Sequence, residues 1–426
     1  MSIDFLAELR WRGMVHQMTD GLDARLARGP VTAYVGFDPT ADSLHVGHLI
    51  PIFGLIHLQR AGGVPVALVG GGTGMIGDPS GRSAERNLLD PETLDANAQA
   101  IGLQLARFLD FTPGPNPARM IDNREWLARY GLIDFLRDIG KHFTVGYMLA
   151  KDSVQIRLES GLSFTEFSYM TLQATDFLHL HRDYGVELQM GGADQWGNIT
   201  AGTELIRRVL GLGDDGQPRA HALVLPLLTM PSGKKFGKTE EGAVFLARHR
   251  TSPIAFYQYW LNIDDRDLPQ LLRFLTLMSR DEVEALEAEQ AAHPERRTAQ
   301  RALARELTAR VHGADEADLQ HKVSDVAFSG LPTTDPRVLD QLYDAIGGFE
   351  FDGQATTVME FALASGAFRS RGEVRRALQQ GGLSVDGERV TDAEAAIPPP
   401  TAGRYHILRV GKRRVLVGRL RDPRGV

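Results

Sequence analysis

Short apolar runs alternate with longer stretches of helical period through the first half of the chain. Val31 to Phe37, Val64-Pro-Val-Ala-Leu-Val-Gly70, Val186-Glu-Leu-Gln-Met190 and His221-Ala-Leu-Val-Leu-Pro-Leu-Leu228 read as buried strands. Helical segments between them predict a parallel α/β sheet, whose ligands sit beyond the carboxyl ends of the strands. Ser163-Phe-Thr-Glu166 is a capping box and places a helix start at Ser163. On that helix Tyr169, Gln173 and Asp176 share one face, while Phe167, Met170 and Phe177 occupy the others. The polar face either meets water or walls a pocket. From about Ile254 to Phe328 the period is helical, as in Leu268, Leu271, Leu272 and Leu275. Gly330-Leu-Pro-Thr-Thr-Asp-Pro336 breaks the pattern. The expected organisation is a catalytic domain over 1–230, a lysine-bearing loop and helical domain over 231–330, a linker over 331–354 and a small module over 355–426.

Composition narrows the class. The chain has 426 residues, is 43% hydrophobic and contains no cysteine. That excludes disulfides, thiolate metal sites and a cysteine nucleophile, and fits a reducing compartment. The first ten residues read as a charged amphipathic helix rather than a signal peptide, and no apolar run is long enough to span a membrane. A cytoplasmic protein is expected. The net charge of −7 hides an asymmetry, because residues 355–426 hold thirteen Arg or Lys against seven Asp or Glu. That end is +6 and the remainder is −13. A basic end on an acidic body calls for an anionic partner.

Candidate chemistry concentrates in two places far apart in the chain. Tyr34-Val-Gly-Phe-Asp-Pro-Thr-Ala-Asp-Ser-Leu-His-Val-Gly-His48 reads as a strand, a turn and a helix opening at His45. Unpaired N–H groups at a helix start hold phosphate, and the two imidazoles share a face from which to donate. Gly47 leaves the backbone open to a ligand. The second place is Lys234-Lys-Phe-Gly-Lys-Thr239, which holds three of the chain's seven lysines in a sequence that otherwise uses arginine. A compact charge on a flexible stem suits a migrating phosphate, although the same residues also suit a solvated loop. Met190-Gly-Gly-Ala-Asp-Gln-Trp-Gly-Asn198 ends a strand with glycines that permit close approach and with Asp194, an acceptor for a ribose hydroxyl. Asp78 also follows a strand end. Gly72-Thr-Gly-Met-Ile-Gly77 matches G-x-G-x-x-G but leads into Asp78-Pro79-Ser80-Gly81, a turn, so it is not read as a dinucleotide site. The segment from Gly233 resembles a P-loop but its first glycine is misplaced.

Taken together these segments resemble the bacterial tyrosyl-tRNA synthetases, over nearly the whole chain. His45-Val-Gly-His48 matches the HIGH motif of class I synthetases and Lys235-Phe-Gly-Lys-Thr239 the KMSKS motif. The resemblance implies a Rossmann-like parallel-sheet domain with a dimer-forming insertion, then an α-helical domain and a small α+β RNA-binding module of the S-four type. It implies that Tyr34 and Asp176 bind the tyrosine hydroxyl, that Asp78, Tyr169 and Gln173 hold the α-amino group, and that Gln195 lies near the carboxylate. Thr40 and His45 would bind the pyrophosphate of ATP. His48, Gly192 and Asp194 would lie near the ribose, and Gly36, Asp38 and Gly47 near the nucleotide. Lys235, Lys238 and Thr239 would reach the phosphates, helped by Arg82 and Arg86. Val35, Pro51 and Arg82 depart from residues found in other members. In the terminal module, Arg369, Arg371, Arg375 and Arg376 would meet tRNA phosphates. The implied reactants are L-tyrosine, ATP with Mg²⁺ and tRNA(Tyr), with no organic cofactor, no resident metal and a homodimeric state. The alternatives are a tryptophanyl-tRNA synthetase, a nucleotidylyltransferase built on HxGH, and a non-catalytic RNA-binding protein.

Overall fold

The computed structural model describes residues 3–80, 89–158, 161–228, 230, 232, 236–239, 242–329, 332–346, 348–351, 357–411 and 414–421. The chain forms two units, Met1–Ser252 with Ile263–Leu303 and Pro253–Asn262 with Ala304–Val426.

The first unit is built on six strands: β1 (Gln17–Met18), β2 (Thr32–Phe37), β3 (Val64–Val69), β4 (Arg119–Asp122), β5 (Val186–Gly192) and β6 (His221–Leu225). Their order is β1-β6-β5-β2-β3-β4. All are parallel except β1, which pairs antiparallel with β6 at an edge. The central strands are apolar on both faces because helices cover both, which is why they read as continuous hydrophobic runs. Order matters more than composition here. After the edge strand β1, the parallel part begins in the middle at β2, moves outward to β3 and β4, and returns to β5 on the other side of β2. Connections leaving β2 and β5 therefore diverge, and a crevice opens beyond their carboxyl ends.

Helix α1 (Leu49–Arg60) buries Leu49, Ile50, Ile52, Phe53, Leu55, Ile56 and Leu58, so it is apolar nearly all round. Helix α2 (Pro91–Leu105) starts at Asp90, whose side chain accepts from Thr93 N–H, with proline in the first turn. Helix α3 (Phe164–Tyr184) starts where the sequence places it, with the Ser163 hydroxyl accepting from Glu166 N–H at 3.2 Å. It ends at Gly185, whose φ of 67° needs glycine. Helix α4 (Trp196–Leu210) lies tightly against α3. A Cβ on Gly202 would stand 2.9 Å from Phe177 Cδ1 and 3.0 Å from its Cβ.

In the second unit a five-stranded sheet has the order β11-β10-β12-β13-β9. Its strands are β9 (Phe349–Phe351), β10 (Leu383–Val385), β11 (Glu388–Arg389), β12 (Tyr405–Val410) and β13 (Arg414–Leu420). The segment 331–354, expected as a linker, is not one. Its described residues form a helix, Pro336–Ile346, and then β9, which pairs in parallel with β13. Val338, Leu339 and Leu342 bury against Leu319, Val323, Tyr405, Ile407 and Val417 in one core. The flanking prolines and glycines mask an eleven-residue amphipathic stripe that is too short to stand out by period alone. The terminal helix Arg371–Gln379 is capped by Ser370 and turns Val374 and Leu378 inward. The β10–β11 hairpin turns through Asp386 (φ 48°) and Gly387 (φ 84°).

The α3–α4 contact gives a test. Alanine at 202 gains about 1 kcal/mol of helix propensity and costs about 1–3 kcal/mol of overpacking. Gly202→Ala should therefore lower stability by roughly 1 kcal/mol. Gly197→Ala on the same helix meets only Lys151 at 3.5 Å and should not. Equilibrium unfolding of both variants decides, and equal behaviour would refute the tight packing at 202.

Candidate active site

Beyond β2 the chain turns at Asp38-Pro39-Thr40, with Thr40 N–H bonded to Asp38 C=O at 2.8 Å. Two α2 side chains hold this turn. Asn97 donates to Pro39 C=O at 3.0 Å, and Gln104 accepts from Leu44 N–H at 3.0 Å. His45 has extended backbone and is followed by one 3₁₀ turn, Val46–His48, that runs into α1. The two imidazoles cap this turn reciprocally. Gly47 N–H donates to His45 Nδ1 and His45 N–H donates to His48 Nδ1, each at 3.1 Å. With Nδ1 accepting, each ring carries its proton on Nε2 and remains a donor there. Burial, and then His45, lower the His48 pKa to about 3, so this donor is neutral. Gly47 also has a reason within the protein. A Cβ there would stand 2.8 Å from His45 Cε1, so glycine makes room for the imidazole. At Gly36 a Cβ would meet nothing within 4 Å, and that position opens on the cavity.

The lysine-bearing stretch is only partly visible. Lys234, Lys235, Arg82 and Arg86 lie outside the described residues, and of Lys238 and Thr239 only the backbone is described. That backbone forms β7 (Lys238–Thr239), antiparallel to β8 (Gly242–Ala243). The next residues run along the histidine motif. Val46 N–H donates to Val244 C=O at 3.0 Å and Leu246 N–H to Leu44 C=O at 2.8 Å. His45 and Phe245 thus form an antiparallel bridge. A backbone ladder joins the two motifs that the sequence keeps apart.

A cavity of about 300 Å³ lies at the crevice. It brings together Tyr34, Gly36, Asp38, Thr40, His45, His48, Asp78, Tyr169, Gln173, Asp176, Gly192, Asp194 and Gln195. Val35 and Pro51 line it too. The polar face of α3 is therefore a pocket wall. Asp176 of this wall and Tyr34 of β2 are both buried. The Tyr34 hydroxyl has no hydrogen-bond partner among the described residues, and its ring packs edge-on against Phe177 at 5.3 Å. Asp176 accepts from Asn123 Nδ2 at 2.9 Å and Trp126 Nε1 at 2.8 Å. Burial nevertheless dominates and pushes its pKa up to about 8. Burial, then Asp176, raise the Tyr34 phenol in turn.

A second group surrounds Asp78, which accepts from Gln195 Nε2 at 2.7 Å and from Ser80 N–H at 2.9 Å. Tyr169 donates to Asp38 at 2.8 Å, and Thr73 donates to the other Asp38 oxygen at 2.7 Å. Burial, then Asp78, raise the Asp194 carboxyl. A Gly192 Cβ would fall 2.5 Å from Asp194 Oδ1, so here too the glycine accommodates a protein side chain.

Sequence reading missed Asn123, Trp126, Thr73, Asn198 and Gln189. Asn123 binds Gly72 N–H, Thr73 and Asp176 together. Its only sequence signal is its place one residue past a parallel strand. Gln189 aligns with Tyr34 across β2 and β5, and its Oε1 has no partner among the described residues. In the second unit, Arg369, Arg371, Arg375 and Arg376 are all exposed, while Val374 and Leu378 of the helix Arg371–Gln379 are buried.

Comparison with known proteins agrees with this geometry. Residues 26–329 match the model of class I tRNA synthetases (W and Y), and residues 339–417 match the tyrosine–tRNA ligase SYY-like C-terminal domain. The first model leaves tyrosine and tryptophan open; the second names tyrosine. The chain belongs to the tyrosine–tRNA ligases. It is 51% identical to the tyrosine–tRNA ligase of Anaeromyxobacter dehalogenans (strain 2CP-1), over 98% of this chain and 100% of that one. It is 46% identical to the ligase of Geobacillus stearothermophilus, over 97% and 98% respectively. A C-terminally truncated mitochondrial tyrosyl-tRNA synthetase of Aspergillus nidulans superposes with a TM-score of 0.67 at 31% identity, covering 75% of this chain and 92% of that one. Like other members of the family, the chain is an aminoacyl-tRNA synthetase.

Two buried groups titrate in opposite directions. Asp176 keeps its proton in the folded state up to about pH 8 but loses it near 3.8 when unfolded, so its contribution falls as pH rises between these values. His48 is neutral when folded down to about pH 3 but protonates near 6.5 when unfolded, so its contribution is lost as pH falls below 6.5. Of the two, only Asp176 acts between pH 6.5 and 8. Stability there should fall by up to about 1.4 kcal/mol per pH unit relative to Asp176→Asn. Equilibrium unfolding across that window measures it, and parallel curves for the two chains would contradict the buried-acid assignment.

Proposed function

We propose that this ligase activates L-tyrosine with ATP, releasing pyrophosphate, and then passes the tyrosyl group to the 3′ end of tRNA(Tyr), with the residue roles set out below. The observation that carries this reading is one cavity lined both by the Tyr34 hydroxyl, which has no partner among the described residues, and by the buried Asp176 carboxyl. The substrate hydroxyl completes both. Asp78, Tyr169 and Gln173 receive the ammonium group, which suits the carboxylates gathered there, and Gln195 lies by the carboxylate.

The reaction needs no nucleophilic side chain. The tyrosine carboxylate attacks the α-phosphate in line and pyrophosphate leaves, so the protein positions the reactants and stabilises charge. Thr40 and the Nε2–H of His45 bind the departing pyrophosphate. His48, Gly192 and Asp194 flank the ribose, and Gly36, Asp38 and Gly47 the nucleotide. Lys235, Lys238 and Thr239 complete the phosphate contacts, assisted by Arg82 and Arg86. Mg²⁺ enters with ATP. Val35 and Pro51 line the cavity as apolar groups and offer the ribose no side-chain hydrogen bond.

We further propose a cytoplasmic homodimer. The absence of cysteine fits a reducing compartment. Within 130–164 the chain exposes Leu132 (71%), Ile133 (72%), Val145 (63%), Ile156 (72%) and Phe164 (75%), a concentration that suits an interface.

Pyrophosphate exchange tests the pocket. Phenylalanine would leave two buried polar groups unpaired at roughly 1–3 kcal/mol each, so exchange should favour tyrosine by about 30-fold to 10⁴-fold. Comparable exchange with phenylalanine or tryptophan would overturn the assignment.

Replacement of Arg369, Arg375 and Arg376 by alanine tests the tRNA face without cutting the core shared by Leu339, Tyr405 and Val417. Exchange should be unaffected. Affinity for tRNA should fall, and its log–log salt slope should flatten by about one per phosphate contact removed. An unaltered slope would remove these arginines from the RNA interface.

A further inference from the structure

Asp267 occupies the N-cap of the helix Leu268–Leu275, yet its side chain makes no bond to that helix. It is 1% exposed. A buried carboxylate is costly unless it is hydrogen-bonded, and the obvious donors of its own helix are not used. Both oxygens turn instead to one residue 35 positions upstream. Oδ1 accepts from Ser232 N–H at 2.8 Å, and Oδ2 accepts from the Ser232 hydroxyl at 2.6 Å. Two bonds from one carboxylate to the backbone and side chain of one residue fix position and orientation together.

Ser232 stands two residues before Lys234. On the far side of the lysines the backbone joins the histidine motif through Val244 and Leu246, and Ala247 N–H donates to the buried Ser43 hydroxyl at 3.0 Å. The described residues that flank the lysines in sequence, Ser232 and Val244–Ala247, are thus each held. One tie is a strand ladder to His45 and the other is the Asp267 carboxylate. We infer that Asp267 and Ser232 form a positioning pair that sets where Lys235 and Lys238 act during adenylate formation. This rests on the phosphate role proposed above for those lysines.

Single-turnover formation of tyrosyl-adenylate in the full-length chain, measured alongside equilibrium tyrosine binding, tests the pair. Ser232→Ala should slow the chemical step about tenfold, the worth of one charge-assisted hydrogen bond, and leave tyrosine affinity within about twofold. Ser232→Thr keeps the hydroxyl and should restore the rate. Asp267→Asn should slow the step at least as much as Ser232→Ala. A Ser232→Ala chain that matches the unmodified rate, while Lys238→Ala is slow, would overturn the pair but leave the functional reading standing. Loss of tyrosine affinity in step with rate, unrescued by threonine, would also overturn it, because that is how a merely structural contact behaves. A Lys238→Ala chain of unimpaired rate would strike at the phosphate role itself and the inference with it.

Discussion

Strand order is the constraint on which this site depends. Of the parallel strands β2 comes first in the chain and lies between β3 and β5, so the chain must reverse its direction of travel across the sheet. The carboxyl ends of β2 and β5 then cannot be closed over by a single connection. Much of the cavity lining is delivered there by this opening. Tyr34 to Thr40 leave β2, Gly70 to Asp78 leave β3, Asn123 leaves β4 and Gly191 to Gln195 leave β5. Helix α3 closes one wall because its cap at Ser163 and its end at Gly185 set which face looks inward. The ladder between Leu44–Val46 and Val244–Leu246 then adds the lysine-bearing stretch without adding a strand to the main sheet.

Within that frame, burial sets the protonation states. Asp176 and His48 are both driven toward their neutral forms, one upward and one downward, by the same loss of water. Asn123 and Trp126 each donate to Asp176, and these bonds favour the charged form without winning. They do fix the carboxyl in place. Asn123 also receives two loop N–H groups and reaches Thr73, so one side chain sets both the loop after β3 and the orientation of Asp176. Among the described residues the buried Tyr34 hydroxyl and the Gln189 Oε1 are left without a partner.

What the sequence revealed follows from the range of the forces involved. The four main strands and the start of α3 rest on local pattern and capping, and both were legible. So was the shared face of Tyr169, Gln173 and Asp176, although only packing could decide that it looks into a pocket. Asn123 and Trp126 carry no local signal, since their importance comes from a residue fifty positions away. Gly47 and Gly192 were visible as unusual, but the side chains of His45 and Asp194, which a Cβ there would meet, carried no local signal. The helix at 336–346 failed for a different reason. Its apolar stripe gains meaning only from Tyr405, Ile407 and Val417, which arrive some seventy residues later along the chain.

The molecule offers anions two kinds of donor, and the difference is physical. In the cavity, Asp38, Asp78, Asp176 and Asp194 already crowd a small volume, and burial makes any fixed charge expensive. Its histidine motif answers with neutral Nε2–H and backbone N–H donors, which cost little to desolvate and cannot collapse onto the carboxylates as a cation would. The cations proposed for the phosphates are instead Lys235 and Lys238. In the second unit the constraint is lifted. Arg369, Arg371, Arg375 and Arg376 stand in water, where charge costs nothing to keep and a planar fork matches phosphate. The sequence carries this contrast too, with −13 over residues 1–354 against +6 over residues 355–426.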